Sequence, residues 1–528
     1  MNVYLLGIII SMAIYVIIGL IISKKIKNSE DYYVAGRKAP TLLITGSLIA
    51  SYCSTGIFMG TAGETYGGFF GPYIITFFIL VTGYVLGSIF FGKYLRRSEV
   101  ITIPEFFGKR FNSKKIQKLA AFISLVIYFV YMVSVMQGIG SLMNIVTGLN
   151  YNVCVLLSLI CFTILTFTSG SQGVLITDTI MFGLFTSVTL ICSFIIIGKA
   201  GGINTAIQNI TAINPDFFSW HGNLNHLYDN GLENIIWAVC TGLTWISVAM
   251  VAPWQSSRYL MAKNEHTVIR ASIFSSIGVF FMELIISFTA AIVFAINQNI
   301  VPGTTSMIWA SMNCVPTILG VVMLTGVVAA GISSATTFLS LIGGVVSNDL
   351  FNIKDDKKKI NVGKITVIIA AILIYIVTLV NPENIYVILC LGATVVACSW
   401  FPTAIVSIWS KKTSKYGAFI GMLLGFLVCS IMKIYSAIKG ISIPAYLDPF
   451  IFGILANIIG IIIGSKVKKP SKEEINELNK LKIVPKIEKD DKEISKTKNL
   501  LKFYLILPII FVIVFLIIWV IPYLNALK

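Results

Sequence analysis

A hydroxyl-rich stretch within an apolar run is the part of this sequence best suited to bind an ion. Residues 329–337 read Ala-Ala-Gly-Ile-Ser-Ser-Ala-Thr-Thr inside the run 317–347, which is long enough to cross a membrane as a helix. Spacings of three and four place side chains on one face of a helix, and here they relate Ala330, Ser333, Ser334, Thr336 and Thr337. Hydroxyl and carbonyl oxygens are ligands of hard cations. The alternative is that these hydroxyls bond back to carbonyls of their own helix.

Asp178 is a carboxylate within a second apolar run. It follows the short turn 169–173 and enters the run 174–198 within about two turns of helix. A carboxylate at that depth requires a cation or a proton. We expect no Lys or Arg to accompany it inside the membrane, so the sequence predicts that a bound sodium ion supplies the positive charge.

Glu283 is the other deep acid, within the run 271–297. Three roles stay open for it: a neutral carboxyl group, a proton carrier, or a contact for a cationic part of a solute. Glu64 and Asp349 lie near the ends of their runs, where we expect both side chains to be solvated.

Two further stretches combine glycine with hydroxyl residues at mid-membrane depth. Residues 50–56 read Ala-Ser-Tyr-Cys-Ser-Thr-Gly, and residues 240–247 read Cys-Thr-Gly-Leu-Thr-Trp-Ile-Ser. Both patterns predict local unwinding, which would free backbone carbonyls to bind a cation. Close contact between helices through small residues is the alternative. The second stretch lies five spans after the first and enters from the opposite side, as expected of two inverted halves.

The composition is that of a membrane protein. The 528 residues are 56% hydrophobic and 12% charged, with a mean hydropathy of +0.87, whereas soluble domains average about 25% charged residues. Lipid offers backbone groups no partner, so apolar runs of spanning length predict helices. Fourteen such runs occur, near residues 3–23, 42–66, 71–94, 117–146, 151–170, 174–198, 234–256, 271–297, 317–347, 365–381, 385–410, 416–437, 445–465 and 503–524.

The basic residues predict the topology and account for the net charge of +17. Of the 40 Lys and Arg, 36 lie in alternate connections, at 24–41, 93–118, 257–270, 348–364, 411–415 and 466–502. The positive-inside rule makes these connections cytoplasmic and puts both termini outside. We therefore expect no nucleic-acid partner. The segment 466–502 is expected to be a solvated linker or a short amphipathic helix.

Five motifs carry a resemblance to a known family. They occur in order at 31–37 (Asp-Tyr-Tyr-Val-Ala-Gly-Arg), 102–111 (Thr-Ile-Pro-Glu-Phe-Phe-Gly-Lys-Arg-Phe), 173–179 (Gly-Val-Leu-Ile-Thr-Asp-Thr), 258–263 (Arg-Tyr-Leu-Met-Ala-Lys) and 329–351. Through them the chain resembles the sodium/solute symporter family, which includes carriers of proline, galactose, sialic acid, pantothenate and monocarboxylates. The resemblance implies an all-α polytopic membrane protein of about 14 transmembrane helices with a LeuT-like fold, built from two inverted five-helix repeats.

The resemblance also implies how the chain is divided. Seven segments follow in order: a first transmembrane helix with a cytoplasmic loop (1–41), the first five-helix repeat (42–198), an extracellular loop (199–233), the second five-helix repeat (234–410), two accessory helices (411–465), a charged cytoplasmic loop (466–502) and a final helix (503–528).

Carried over position by position, the resemblance implies two sodium sites and a solute site. The main sodium site would use carbonyl and hydroxyl oxygens of Ala50, Cys53, Ala330, Ser333 and Ser334. The second site, which some members have, would use Asp178, Ser333, Thr336 and Thr337. The candidate solute contacts are Tyr52, Ser54, Thr76, Thr241, Trp245 and Trp400.

The solute positions depart from the patterns of several carriers in that family. Tyr52 stands where the proline carriers have Asp and the galactose carriers have Asn, and Ile57 stands where the galactose carriers have glutamine. Thr76 matches the sugar-binding Glu or the sialic-acid-binding Gln, and the run 117–146 lacks an arginine to hold a carboxylate. These departures disfavour galactose and sialic acid. A small amino acid, a monocarboxylate and a vitamin acid stay open.

The sequence therefore predicts a secondary active transporter and not an enzyme. It would couple the entry of Na+, the co-transported ion, to uptake of a small organic solute by alternating access. We expect it to work as a monomer in the plasma membrane. A proton-coupled symporter on the same fold is one alternative. A membrane-embedded lipid enzyme is a second alternative. The sequence gives it little support, because the apolar runs contain no His, Cys or paired-carboxylate constellation.

Overall fold

The chain folds into a bundle of membrane-spanning helices. The computed structural model describes residues 2–24, 26–224, 226–380, 385–441 and 443–528. Within that part, 13 helices are long and apolar enough to cross a membrane, or 14 when one bent pair counts as a single span. The predicted all-α architecture is confirmed. In chain order the spans are α1 (Val3–Ser23), α2 (Thr41–Tyr52 with Gly56–Tyr66), α3 (Phe70–Ser98), α4 (Lys114–Thr147), α5 (Tyr151–Thr168), α6 (Gly170–Lys199), α7 (Gly231–Met261), α8 (Glu265–Ile296), α9 (Thr317–Leu350), α10 (Asp356–Val380), α11 (Cys390–Trp409), α12 (Lys415–Lys439), α13 (Ala445–Val467) and α14 (Asp491–Ala526).

The helices divide into a buried centre and a lipid-facing periphery. The helix α9 is buried over most of its length, and α8 is nearly as enclosed. The helices α1, α10 and α14 instead expose many large apolar side chains. Such surfaces are compatible only with lipid as the surrounding solvent. Polar side chains that could bind an ion are therefore concentrated where the central helices meet.

The helix α2 is broken at its middle. Its two halves, Thr41–Tyr52 and Gly56–Tyr66, are bent by 45°, and Cys53 leaves the helical region with φ −74° and ψ 71°. The amide of Ser54 donates to the Tyr52 carbonyl at 2.8 Å, and the amide of Ile57 donates to the Ser54 carbonyl at 3.1 Å. The carbonyls of Ala50 and Cys53 therefore do not receive the amides that an unbroken helix would direct to them. The predicted unwinding of this stretch is present.

The helix α7 is broken at a different place from the one the sequence pattern indicated. Residues 240–247 are regular helix within Gly231–Val251, and the Ser247 hydroxyl bonds back to the Leu243 carbonyl at 2.8 Å. The break falls at Ala252, with φ −57° and ψ 134°. Pro253 causes it, because the residue before a proline is driven out of the helical region. The predicted unwinding at 240–247 is wrong.

Short helices cover the end of the bundle that carries most Lys and Arg, here called the basic face. They are Ser29–Val34, Ile103–Arg110 and Lys472–Lys482. The last of these begins at a capping box formed by Ser471 and Glu474 and buries Leu478. Of the two expectations for segment 466–502, the amphipathic helix is the one that the structure contains.

Arg110 fastens that helix to the basic face. Its guanidinium donates to the Glu474 carbonyl at 2.8 Å and also to the Ser407 carbonyl of α11. Burial lowers the pKa of Arg110 to about 10, so the side chain stays charged at neutral pH. The segment 466–502 is thus packed on the protein and is not a freely solvated linker.

Candidate ion and solute sites

Four helices meet around the carboxylate of Asp178. This side chain, on α6, is fully buried. The Ser47 hydroxyl of α2 donates to it. The Arg258 guanidinium of α7 lies 3.5 Å from the same carboxylate and donates to the Thr337 hydroxyl of α9 at 2.8 Å. One polar cluster therefore joins both halves of the predicted inverted repeat.

Arg258 overturns the expectation that Asp178 has no basic partner in the membrane. The sequence pattern placed Arg258 in a connection, but after the break at Ala252 the helix α7 resumes as Pro253–Met261 and carries the arginine inward. Its side chain is 1% exposed. It also donates to the Ser47 hydroxyl at 3.0 Å and to the Trp254 carbonyl. A buried guanidinium is tolerated only when it is paired and hydrogen-bonded in this way.

Two buried oxygen atoms next to this cluster are left without close partners. One is the Asp178 Oδ1 atom, and the other is the Ser333 Oγ atom of α9; neither has a close hydrogen-bond partner among the residues that the structure describes. Ser333 nevertheless lies near enough to Asp178 for its hydroxyl to stabilise the carboxylate through a longer hydrogen bond. Buried polar atoms normally have partners, and an ion between these two atoms would supply one. The pair belongs to the predicted second sodium site, Asp178, Ser333, Thr336 and Thr337.

The other two hydroxyls of that predicted site already have partners. The Thr336 hydroxyl bonds back to the Ser333 carbonyl at 3.0 Å, and the Thr337 hydroxyl accepts from Arg258. Both side chains are buried. An ion bound by all four residues would compete with the Arg258 guanidinium for Asp178 and Thr337.

The residues of the predicted main sodium site are buried where α2 and α9 approach one another. Ser333 and Ser334 are each 1% exposed, so their hydroxyls do not face lipid. The Ser334 hydroxyl bonds back to the Ala330 carbonyl at 3.3 Å. A Cβ atom on Gly331 would lie 3.7 Å from the Thr55 methyl group, which shows how closely α9 passes the break in α2. The freed carbonyls of α2 and the buried hydroxyls of α9 thus lie in neighbouring segments.

Their chemistry matches a hard monovalent cation. No group of three or more His, Cys, Asp or Glu side chains arranged for a metal is found among the described residues. The candidate ligands are instead carbonyl and hydroxyl oxygens with a single carboxylate, as hard oxygen-seeking cations require.

A small cavity adjoins the break in α2. Four of the predicted solute contacts line it: Tyr52, Ser54, Thr76 and Trp245. The Thr76 hydroxyl donates to the Ala238 carbonyl at 3.0 Å, and the Ser54 hydroxyl accepts from the Gly56 amide at 3.3 Å. The remaining lining residues were not among the candidate solute contacts, although a solute contact was one of the three roles left open for Glu283; they are Gly56, Ile57, Thr61, Tyr73, Phe77, Tyr131 and Glu283.

Trp245 separates this cavity from a larger vestibule that opens at the end opposite the basic face. The Trp245 side chain lines both spaces. Thr241, one turn away on α7, lines only the vestibule. Trp400 lines neither: it is fully buried against Phe107 near the basic face, with ring centroids 5.2 Å apart. The structure therefore brings four of the six predicted solute contacts to one cavity.

The acids near the ends of runs are not as solvated as expected. Asp349 is 3% exposed and accepts from the Thr102 hydroxyl at 2.9 Å and the Gln117 amide at 2.7 Å. The expectation that it is solvated is wrong, because the helix Ile103–Arg110 folds over it. Glu64 is partly exposed, and its carboxylate forms a hydrogen bond with the His226 ring at 2.7 Å.

Comparisons with known proteins place the chain among transporters. The model of the sodium:solute symporter family matches residues 32–425. The sodium/pantothenate symporter of Haemophilus influenzae is 24% identical over 87% of this chain and 97% of its own. The osmoregulated proline transporter of Bacillus subtilis is 23% identical over 88% and 96%, and the sodium/proline symporter of Escherichia coli is 21% identical over 86% and 91%.

Solved structures share the fold at lower sequence identity. An outward-open Na+-coupled sialic acid symporter matches with a TM-score of 0.73 at 18% identity, covering 89% of this chain and 99% of that one. A transporter of the nucleobase-cation-symport-1 family matches with a TM-score of 0.56 at 12% identity, covering 86% and 99%. The predicted transporter fold is confirmed.

Proposed function

Because this chain belongs to the sodium:solute symporter family, we propose that it moves a small organic solute together with two sodium ions bound between α2, α6 and α9. It is a multi-pass membrane protein that couples transport to sodium, and it is a transporter and not an enzyme. The proposal concerns three points: which residues bind the ions, how many ions are bound, and which solute is carried.

The first ion is assigned to Ala50, Cys53, Ala330, Ser333 and Ser334. The observation that carries this assignment is the buried Ser333 hydroxyl, which has no close hydrogen-bond partner among the described residues and lies on the helix that passes the break in α2. An ion held there joins one helix from each predicted repeat, 42–198 and 234–410. A ligand shifts a conformational equilibrium only when it binds one state better, and a bridging ion meets that condition.

The second ion is assigned to Asp178, Ser333, Thr336 and Thr337. The unpartnered Oδ1 atom of Asp178 supports this assignment. Arg258 already pairs with Asp178 and Thr337, so the ion and the guanidinium bind as alternatives. We assign the Asp178–Arg258 pair to the state in which the basic-face side is closed.

The solute is assigned to the cavity at Tyr52, Ser54, Thr76 and Trp245. Thr241, in the vestibule, fits a role in solute entry. Trp400 packs elsewhere, so the solute assignment does not use it. A small amino acid, a monocarboxylate and a vitamin acid are the solute classes that we carry forward.

The energetics of two ions are sufficient for concentrative uptake. Each unit charge that crosses a membrane at 100 mV releases about 2.3 kcal/mol. Two sodium ions would thus supply about 4.6 kcal/mol, which corresponds to roughly a thousandfold accumulation of a neutral solute.

The orientation and oligomeric state are also proposals. The 36 basic residues in alternate connections support a basic face that is cytoplasmic, with both termini outside. A functional monomer is also part of the proposal. Labelling of single cysteines placed near each terminus, in intact cells, tests the orientation.

Uptake into proteoliposomes tests the proposed function. Labelled amino acids, monocarboxylates and pantothenate are offered under an inward sodium gradient, with potassium in place of sodium as the control. We expect one class to accumulate only with sodium. The buried Glu283 in the cavity favours proton coupling as the second candidate, and accumulation driven by a pH step without sodium would establish it.

A further inference from the structure

The charge of the solute cavity is set by one side chain. Of the eleven described residues that line the cavity, Glu283 carries the only carboxyl group. Lys, Arg and His are absent from that described lining. The surroundings are therefore suited to a positive group on the solute, and a solute with only negative charge would meet an uncompensated carboxylate.

Glu283 is held in place without a counter-ion. It lies on α8, is 1% exposed, and forms no salt bridge within the described part of the chain. The Tyr52 hydroxyl, also in the cavity, interacts with its carboxylate. The Oε2 atom has no hydrogen-bond partner among described residues. A buried carboxylate oxygen without a partner, beside a cavity, is a binding position for a donor group.

Aromatic rings complete the surroundings of this carboxylate. Tyr52 packs edge to face on Trp245, with ring centroids 5.7 Å apart, and on Tyr84 at 6.4 Å. Tyr131 and Phe77 also line the cavity. The faces of aromatic rings attract cations, and rings grouped around a cavity are suited to amines and quaternary ammonium groups.

We propose that Glu283 binds an ammonium group of the solute, so that the transported compound is a zwitterion or a cation containing an amine or a quaternary ammonium. This inference rests on the proposed solute cavity and restricts the class of solute that binds there. It favours amino-acid-like solutes over monocarboxylates and over pantothenate, whose only formal charge is negative.

Matched pairs of compounds test the inference on the wild-type protein. In each pair the nitrogen is replaced by carbon at nearly constant shape: L-proline with cyclopentanecarboxylate, L-alanine with isobutyrate, and glycine betaine with tert-butylacetate. Pantothenate and lactate complete the panel. Thermal stability of the purified full-length protein is measured with each compound, in sodium and in potassium.

We expect at least one nitrogen compound to raise the melting temperature in sodium while its carbon partner does not. For proline and alanine, a charge-assisted hydrogen bond to a buried carboxylate corresponds to about a tenfold to hundredfold difference in apparent Kd. Glycine betaine has no N–H group, so its preference would come from charge attraction and from the aromatic faces. Equal stabilisation by both members of every pair that binds, stabilisation by pantothenate or lactate, or no stabilisation by any nitrogen compound would overturn the inference.

The substitution Glu283→Gln gives an independent test. We expect it to weaken the nitrogen compound by at least about tenfold and to leave stabilisation by sodium alone unchanged. Asp349→Asn is the matched control, since it removes another buried carboxylate outside the cavity and should keep the preference. Retained binding in Glu283→Gln, or loss of the sodium response in that variant alone, contradicts the assignment. Should sodium have no effect even on the wild-type protein, the proposed function fails, whatever the panel shows.

Discussion

The Arg258 guanidinium lies 3.5 Å from the Asp178 carboxylate, and both side chains are almost completely buried. The arginine comes from the second predicted repeat and the aspartate from the first. The contact therefore joins the two repeats on the basic-face side of the proposed ion sites. Its partners Ser47 and Thr337 tie α2 and α9 into the same cluster. A sodium ion at Asp178 and Thr337 would have to displace this guanidinium. Binding of the ion would therefore change the contact between the two repeats.

The substitution Arg258→Met tests that competition. Without sodium the variant should be less stable than the wild-type protein, because an unpaired buried charge costs about 3–5 kcal/mol. With sodium it should recover more stability than the wild-type protein does, because the ion no longer competes with a guanidinium. The measurement is the melting temperature as a function of sodium concentration, with potassium keeping the ionic strength constant.

Arg110→Met is the matched control for that experiment. Arg110 is also buried, at 2% exposure, but it binds the carbonyls of Ser407 and Glu474 away from Asp178. It should lower stability equally in sodium and potassium. A sodium response in Arg258→Met no larger than that of the wild-type protein counts against the competition.

The substitution Ser333→Ala should raise the sodium concentration needed for stabilisation and for transport. It removes a buried hydroxyl oxygen that has no close hydrogen-bond partner among the described residues and that both proposed ion sites use. Loss of one ligand to a charged group corresponds to about 1.5–3 kcal/mol, or roughly a tenfold to hundredfold rise.

Ser193→Ala provides the comparison for that variant. Its hydroxyl is buried on the same helix as Asp178 but nearer the opposite end, and it too has no partner in the part of the chain that the structure describes. Sodium dependence should be normal in this control. If Ser333→Ala and Ser193→Ala respond alike, the ion assignment at α9 is incorrect.

The substitution Asp178→Asn should lower the number of sodium ions transported per solute. The amide keeps the shape of the carboxylate but removes the charge that offsets a second ion. The first site, at Ala50 and Cys53, uses no atom of Asp178, so some sodium coupling should remain. The reversal potential in proteoliposomes measures the ratio, and an unchanged ratio would mean that the second ion is bound elsewhere.

Features that depend on local chain chemistry could be predicted from the sequence. Glycine and hydroxyl residues at 50–56 predicted a break in α2, and the break at Cys53 is present, although the same residue types at 240–247 form regular helix. Ser333 and Ser334 follow Ala330 by three and four residues, so the three share one face of α9, and both serines are buried as expected. The apolar runs gave the number of spans for the same reason, since spanning length is a property of each run alone.

Features that depend on where a helix ends could not be predicted from the sequence in the same way. Arg258 was placed in a connection because hydrophobicity ends before it, yet Pro253 only bends α7 and the helix continues to Met261. The proline was a usable signal for the break, and the glycine at 242 was a misleading one. Asp349 was expected to be solvated because nothing in its own run shows that another segment covers it. The lining of the solute cavity by Glu283 and Tyr131 likewise depends on tertiary packing.

The substitution Leu478→Ala tests whether the helix Lys472–Lys482 is part of the folded bundle. Leu478 is completely buried on the basic face, and truncation of a buried leucine costs about 2–5 kcal/mol. We expect faster cleavage of the segment 466–502 by a protease added to the purified protein, together with a lower melting temperature. Ile483→Ala is the control, because that side chain is 68% exposed and its removal should change neither measurement. Equal cleavage rates for the two variants would show that the helix is not held by its buried leucine, and Arg110 alone would then have to account for its docking.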